Sequence, residues 1–545
     1  MRGPTVTGFF GRAGLVLPAV VAPMAEAAVL RAFDPGSAAL AAQVTAPAPL
    51  DLFHDMRWIS VFHNSWLVFA AELLAVLVLR SVWVAWVVQR SWPVPDPPGM
   101  LPASRRASVF YALSMVLFVP WVVLLFGLAF SHLSFLFFAA IPPAIAIAAI
   151  VHRGAASRAA GSRWGTRPTW RSVAWILASF IWLTAAGAVI QSAPILLALG
   201  AAGAAGLLNA RAAFGVVQDI ALGRRRRPLP ALAPAMVVAV FAVTVGGSAI
   251  GFAVTAGHAH DPRSPGPVPQ AAPGEHPVLI ATGLHSHYDP RSPLDLPHGY
   301  VGWRFSYRGI GPQDRPLPYG PEDTQQSLIV SARRMARQVH VLSRAYREPV
   351  TLVGESEGAL VARAYLLHLY RPGSHDVDRL ITLDMPSGVS GVYFPPRGRE
   401  GWGVASGWGL RGLADLLDAI APLRLSVDSG LGREFAQCRS ALKDLATAPP
   451  PSGIQQTSFQ ALADMVDPSA SPPGTVTYIV NAPHGGLMGR VAVRDLIHAI
   501  LEGDSVVGGS TRESLLARLV HATASPWEAP TLPLALDPMG TCRMR

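Results

Sequence analysis

The sequence predicts two parts of different class, an N-terminal α-helical transmembrane bundle of about six spans and a C-terminal α/β domain with a mostly parallel sheet. The 545 residues are 51% hydrophobic and only 14% charged, with a mean hydropathy of +0.35, which is too apolar for an ordinary soluble enzyme. Long apolar runs fill the chain up to about residue 256, and short strand-like and helix-like patterns alternate after residue 277. This change of pattern divides the chain.

Apolar runs of about 20 residues, the length that crosses a bilayer, recur through the first half of the chain. There are six of them, at residues 66–88, 109–130, 133–151, 173–190, 195–217 and 236–256. In the fifth run Gly200, Gly203 and Gly206 stand three apart, which suits close helix packing in lipid. Six such runs in succession favour membrane spans over the buried helices of a soluble protein.

Arginine occurs in alternate loops between these runs. It follows the first run, the third run and the fifth run, at Arg90, Arg105, Arg106, Arg153, Arg158, Arg163, Arg167, Arg171, Arg211 and Arg224 to Arg227. Because positive loops stay on the cytoplasmic side, the chain after the sixth run is expected on the outer face of the cell membrane. Since these charges sit at membrane exits, the net charge of +10 indicates no nucleic-acid surface.

The ends and the linker complete the predicted organisation. After Arg12, an apolar run at 13–25 resembles a signal peptide or an uncleaved extra helix. A proline-rich stretch then separates the two main parts. The predicted segments are an N-terminal segment, a transmembrane domain, a linker, an α/β domain and a C-terminal helix and tail, at 1–60, 61–257, 258–276, 277–505 and 506–545.

The second part has the periodicity of a parallel α/β sheet. Short apolar runs predict strands at 277–282, 299–307 and 350–353, and helical spacing predicts a helix over 324–343. That helix is expected to bury Leu328, Ala332, Met335, Val339 and Leu342. Strands that alternate with helices predict parallel strands joined by crossover helices.

The stretch LVGESEGALV places Ser356 between two glutamates and two glycines. It follows a predicted strand and opens a predicted helix, the context of a G-x-S-x-G nucleophile elbow. Gly354 and Gly358 supply the small flanking residues that so sharp a turn requires. Ser356 is therefore the candidate nucleophile.

A serine nucleophile needs a histidine base and a carboxylate that orients the base. His484 in NAPHGGLMG, after a predicted strand at 475–480, is the candidate base. Asp464, after a predicted strand at 456–461, is the preferred acid, and Asp384 in ITLDMPS is the alternative. Asp467 is a lesser option, because an aspartate before proline is usually a turn or helix cap.

From about residue 277 to 503 the chain resembles the α/β-hydrolase superfamily, particularly bacterial lipases and esterases, through LVGESEG and PHGGLM. The resemblance implies an eight-stranded type of sheet, ester or thioester hydrolysis, no cofactor, and the order serine, acid, histidine. ATGLHSH is then the oxyanion loop, with backbone N–H groups of Leu284 and Glu357 as donors. The Glu357 carboxylate would oppose the oxyanion unless its side chain points away.

Further polar residues leave alternatives open. Glu72 and Arg80 lie within the first span two helical turns apart, so they are candidates for function or, for Arg80, for snorkelling. Cys438 and Cys542 can pair or stay free. The histidines of HAHD and HSHYD lack the partners of a metal site, so no metal is expected.

These observations predict a membrane-anchored serine hydrolase that acts on esters at the outer membrane face. Membrane lipids are the expected partners, and a lipid or lipid-linked ester is the expected substrate. Two alternatives stay open, an acyltransferase that uses the same acyl-serine and an inactive sensor or scaffold.

Overall fold

The computed structural model describes residues 13–48, 50–93, 96–127, 156, 158–161, 170–222, 274–292, 294–386, 403–420, 426, 428–463, 472–503, 523, 525–527 and 530. The predicted spans 133–151 and 236–256 lie outside these residues, as do most of the linker and most of the C-terminal tail.

The described N-terminal part is helical. Its helices are α1 (Ala13–Phe33), α2 (Leu50–Val61), α3 (Trp66–Ser91), α4 (Met100–Gly127), α5 (Trp170–Ser192) and α6 (Ile195–Leu222). Side chains from α1, α2, α3, α4 and α6 share one buried apolar cluster, and many apolar side chains on α3 face outwards. An apolar outer surface is what a helix bundle presents to lipid.

Three helices in the described residues are long and apolar enough to cross a membrane, at Gly14–Phe33, Trp66–Ser91 and Ile195–Ala221. The count of about six spans is therefore not reached. Two of the three match predicted spans, and the third is the N-terminal run that the sequence left open. The predicted spans 109–130 and 173–190 fall on α4 and α5, but the apolar helix within α5 is short, Ala178–Ser192.

The segment between α1 and α3 turns back into the bundle. A 3₁₀ helix, Pro35–Gln43, is largely buried. Just beyond it, the Thr45 hydroxyl donates to the carbonyl of Ala19 near the start of α1 (3.2 Å). Asn209 on α6 donates to the carbonyl of Ala42 (3.0 Å). Backbone that is not α-helical is thus enclosed by protein, the condition for such backbone within a bundle.

Arg80 pairs with a residue that the sequence did not associate with it. Its Nε and Nη2 donate to Asp55 on α2 at 2.5 and 2.6 Å, and its Nη1 donates to the carbonyl of Val44 at 2.8 Å. Arg80 is buried, so the expectation that it snorkels is wrong. The guanidinium finds its partners inside the protein because the returning segment carries Asp55 to it.

The C-terminal part contains a fully parallel sheet in the order β2-β1-β3-β4-β5-β6. The strands are β1 (His276–Ala281), β2 (Tyr300–Arg304), β3 (Val350–Glu355), β4 (Val377–Leu383), β5 (Gln455–Ala463) and β6 (Val476–Pro483). The resemblance implied an eight-stranded type of sheet, and the described residues hold six strands. A parallel sheet with covering helices fits the α/β-hydrolase fold.

The C-terminal part also contains the helices α7 (Leu328–Tyr346), α8 (Glu357–His368), α9 (Val404–Ile420), α10 (Gly430–Gln437), α11 (Arg439–Thr447) and α12 (Val491–Glu502). Helices lie on both faces of the sheet, whereas α9 packs on α2, α3 and α4 of the bundle. The α7 and α8 side chains pack on one face with Leu279 and Leu352, and the α12 side chains pack on the other with Ile280 and Val353. All five predicted core positions of α7 are buried.

The long segment between β4 and β5 contacts the bundle. The N–H of Ala405 donates to Nε2 of His63 (2.7 Å), and the N–H of Gly403 donates to the His63 carbonyl (2.6 Å). The His63 Nδ1 bonds to the carbonyl of Ile59, so the ring is neutral with its proton on Nδ1. Burial lowers the pKa of His63 to about 4, which keeps it in that form.

Candidate active site

The turn from β3 into α8 holds Ser356 in a conformation that non-glycine residues rarely adopt, φ 52° and ψ −122°. Two close approaches explain the flanking glycines. A Cβ on Gly358 would lie 2.3 Å from the carbonyl oxygen of Ala281, and one on Gly354 would lie 2.5 Å from Cα of Ala359. Such strain is typical of functional turns. The elbow predicted from LVGESEG therefore has its expected local structure.

His484 lies beside this serine. It directly follows β6, and its Nε2 is 3.0 Å from Oγ of Ser356, a hydrogen-bond distance. The two residues are 128 positions apart in the chain and meet because β3 and β6 end at the same edge of the sheet. Gly485, with φ 70°, turns the chain away after the histidine. A serine and a candidate base are thus in contact.

Asp384, the alternative acid of the sequence analysis, lies at the same edge. It follows β4, is 1% exposed and has a positive φ of 49°. Its Oδ1 accepts from the N–H of Ala461 (2.7 Å), and its Oδ2 accepts from the N–H of Gly485 (3.0 Å). Its carboxylate therefore bonds to the backbone next to His484. Asp464 and Asp467 lie outside the described residues.

The loop after β1 runs close to the nucleophile. A Cβ on Gly283 would lie 2.8 Å from Cβ of Ser356 and 3.2 Å from its Oγ, so only glycine fits. Two tyrosines fix the preceding residue, since Tyr307 donates to the Thr282 carbonyl (2.7 Å) and the Tyr319 hydroxyl is 3.3 Å from Thr282 Oγ1. Leu284, the predicted oxyanion donor, comes directly after this contact.

The side chain of Glu357, whose charged form would oppose an oxyanion, is only 2% exposed. Neither carboxyl oxygen has a hydrogen-bond partner among the described residues. Burial, together with the nearby carboxyl of Glu434, holds the pKa of Glu357 well above its usual range. This environment favours the neutral acid, the form that brings no opposing charge to the site.

Two charged residues at this edge were missed in the sequence analysis. Arg304 ends β2, and its Nη2 donates to Oγ1 of Thr282 (3.0 Å). Glu355 ends β3, directly before Ser356. Glu355 follows the predicted strand 350–353, and this position was the available signal, because ligand and catalytic groups of parallel sheets gather at the carboxyl ends of strands. Arg304 lies inside the predicted strand 299–307, so no such signal marked it in the sequence.

The described residues contain no group of three or more histidine, cysteine, aspartate or glutamate side chains that could hold a metal ion. Cys438 is in a disulfide, and Cys542 lies outside the described residues. The sequence had left this pairing open.

Comparisons with known proteins add little to this geometry. No family model matches the chain, and no curated protein matches it either. Among solved structures, a lipase B of Aspergillus fumigatus is 15% identical, with 52% of this chain and 69% of that one covered and a TM-score of 0.26. The esterase Est1E of Butyrivibrio proteoclasticus, with bound ferulic acid, is 12% identical, with 44% and 93% covered and a TM-score of 0.21.

A third similar structure, TT1662 from Thermus thermophilus, is 15% identical, with 43% and 90% covered and a TM-score of 0.25. Scores this low carry no argument about this chain. The sheet and the residues at its carboxyl edge are therefore the basis for assigning a function.

Proposed function

We propose that this chain is a membrane-anchored serine hydrolase that cleaves carboxylic ester bonds, with Ser356 as nucleophile and His484 as general base. The observation that carries the proposal is the 3.0 Å contact between Nε2 of His484 and Oγ of Ser356 at a strained strand-to-helix turn. A serine hydroxyl reacts only when a base takes its proton, and this contact provides that base.

The arrangement supports acyl transfer in two steps. Oγ of Ser356 attacks the ester carbonyl while Nε2 of His484 takes the hydroxyl proton, which it then gives to the departing alcohol. Water, deprotonated by the same nitrogen, cleaves the acyl-serine. The N–H groups of Leu284 and Glu357 are the proposed oxyanion donors, each worth about 3 kcal/mol in the transition state. The approach of Gly283 to Ser356 supports Leu284 in this role.

Asp384 is the acid that we propose, and its own geometry supports this role. It is fully buried, and it already bonds to the backbone of the His484 loop through the N–H of Gly485. A carboxylate in this place orients the imidazole and stabilises its charged form. The original preference for Asp464 remains the alternative, since Asp464 follows β5 directly and lies outside the described residues.

The proposed substrate is a lipid or lipid-linked ester at the outer membrane face. Three apolar helices support membrane anchoring. The disulfide at Cys438 supports an oxidising compartment for the hydrolase domain. A reporter that fluoresces only in the cytoplasm should be dark when fused after Pro269 and bright when fused after Ala160; the reverse pattern would place the hydrolase inside.

Turnover of a short-chain nitrophenyl ester by Ser356→Ala tests the proposed reaction. The variant should fold and lose nearly all activity, whereas Ser331→Ala, which changes a buried serine of α7, should retain it. Wild-type turnover in Ser356→Ala would refute the assignment. Absence of turnover in the wild type would favour the scaffold alternative, and ester formation from an added alcohol in preference to hydrolysis would favour the acyltransferase.

A further inference from the structure

Glu355, the last residue of β3, has an unusual environment. The residue as a whole is only partly buried, but its Oε1 atom is shut off from solvent and has no hydrogen-bond partner among the described residues. Buried carboxyl oxygens normally accept hydrogen bonds, because desolvation without compensation is unfavourable. An exception directly before the nucleophile calls for an explanation beyond packing.

Three ionisable groups lie within electrostatic range of this carboxyl. His484 comes from the loop after β6, Arg304 from the end of β2, and the phenol of Tyr307 from the segment that follows β2. Burial raises the pKa of Glu355 to about 7, while His484 and Arg304 each oppose that rise. Burial holds the pKa of Tyr307 well above its usual range, so the phenol is neutral. The charge of Glu355 therefore changes near neutral pH.

Arg304 connects this carboxyl to the oxyanion loop. Its Nη2 donates to Thr282, which precedes Gly283, and its Nε is buried without a hydrogen-bond partner among the described residues. The guanidinium is thus held at the edge of the site by the loop, with its positive charge within electrostatic range of Glu355. It favours the ionised carboxylate at a place where burial alone would favour the neutral acid.

We propose that Glu355 is an electrostatic positioning residue of the candidate active site, whose carboxylate stabilises the imidazolium that His484 becomes when it takes the proton of Ser356. The inference deepens the proposed hydrolase function and rests on it. The group acts through His484 and in addition to the aspartate that orients the ring.

The charge balance of the acylation step explains the effect. The O–H bond of Ser356 breaks, its proton moves to Nε2 of His484, a bond forms from Oγ to the carbonyl carbon, and the carbonyl electron pair moves to oxygen. Glu355 exchanges no proton in this step. When ionised it offsets the new positive charge, and when protonated it does not. The same negative charge also favours protonated His484 in the resting enzyme.

Two effects on the pH profile of kcat/KM follow for Glu355→Gln, which keeps the shape and removes the charge. The alkaline plateau should fall by about tenfold, and the midpoint of the acid limb should move to lower pH by about 0.5 to 1 unit. Glu355→Asp, which restores a carboxylate, should return the acid limb towards its wild-type position. A merely structural role would lower activity without moving this midpoint.

Glu434→Gln is the matched control. Burial raises the pKa of Glu434 to about 7 as well, although the N–H of Leu328 and the hydroxyl of Ser327 oppose the rise. Glu434 lies on α10, and its carboxyl accepts a hydrogen bond from the N–H of Leu328 at the start of α7. His484 is not among the groups that shift its pKa. Removal of the Glu434 carboxyl should leave the acid limb in place. Equal shifts in Glu355→Gln and Glu434→Gln would overturn the inference.

Covalent labelling of Ser356 and the pH profile together distinguish a wrong role for Glu355 from a wrong assignment of the hydrolase function. Fluorophosphonate labelling of Ser356 with a wild-type acid limb in Glu355→Gln would overturn the inference alone. Absence of labelling in the folded wild type would overturn the function and the inference together. If Glu355→Gln does not fold, Arg304→Gln is the second variant. It removes the cation that favours ionised Glu355, so the acid limb of the kcat/KM profile should move to higher pH. An unchanged profile would overturn the proposal.

Discussion

Charged side chains are buried in both parts of the molecule, but their partners differ. In the bundle, Arg80 is paired with Asp55, and Nε2 of His54 lies 2.9 Å from Oε1 of Glu26. At the carboxyl edge of the sheet, Oε1 of Glu355 and both carboxyl oxygens of Glu357 have no hydrogen-bond partner among the described residues. The Arg80–Asp55 and His54–Glu26 pairs are thus matched, whereas the carboxyls of Glu355 and Glu357 have no such match.

This difference indicates what each set of groups does. A matched buried pair fixes the packing of the segments that carry it, and loss of one partner leaves an uncompensated charge. Unmatched carboxyls with raised pKa values at the carboxyl edge of a parallel sheet are typical of functional sites. The Arg80–Asp55 pair accordingly stabilises the bundle, and the edge of the sheet is the reactive region that we propose.

The largest expected effect concerns the acid of the reactive region. Asp384→Asn should lower kcat by about 10⁴-fold, because the imidazole loses the carboxylate that orients it. Asp464→Asn should keep most of the activity. Both variants need circular dichroism to verify folding. Collapse of activity in Asp464→Asn alone would restore the original preference for that residue.

The next effect concerns the matched pair of the bundle. Arg80→Met leaves Asp55 buried without its cation, so the bundle should lose about 3 to 5 kcal/mol of stability. Thermal unfolding in detergent micelles would show this as a large drop in Tm. Arg105→Met, which changes an exposed arginine of α4, should have little effect. Equal Tm values for the two variants would show that the Arg80–Asp55 pair does not stabilise the bundle.

The smallest effect concerns the stability of the α/β domain as a function of pH. Burial raises the pKa of Glu434 to about 7 in the folded protein, above its ordinary value of 4.5, so folding favours its protonated form. The stability it contributes is fully present below about pH 4.5 and is lost as the pH rises through about 7. The Tm of Glu434→Gln should therefore rise above that of the wild type as the pH increases from about 4.5 to about 7, and the difference should persist at higher pH.

The expected gain is a few degrees at pH 8, on the order of 1 to 3 kcal/mol, and should vanish near pH 4. Glu348→Gln, which removes an exposed carboxyl just after α7, is the control for the loss of a surface carboxyl. A constant difference between Glu434→Gln and the wild type across this range would show that the carboxyl does not titrate as described.

Local patterns of the sequence predicted the parts of the fold that depend on neighbouring residues. The five apolar positions of α7 repeat at helical spacing and are buried, and the glycines around Ser356 predicted its turn. Partnerships across the chain were not predictable in this way. Asp55 reaches Arg80 only because the chain returns into the bundle, and the order serine, acid, histidine is satisfied by Asp384 and Asp464 alike.

If Ser356 is a nucleophile activated by His484, a covalent fluorophosphonate adduct mapped by mass spectrometry should lie on this serine alone. We expect one labelled residue, Ser356, in the wild-type protein, much slower labelling in His484→Ala, and no adduct in Ser356→Ala. An adduct on another serine, or labelling of Ser356 at an unchanged rate without His484, would contradict it.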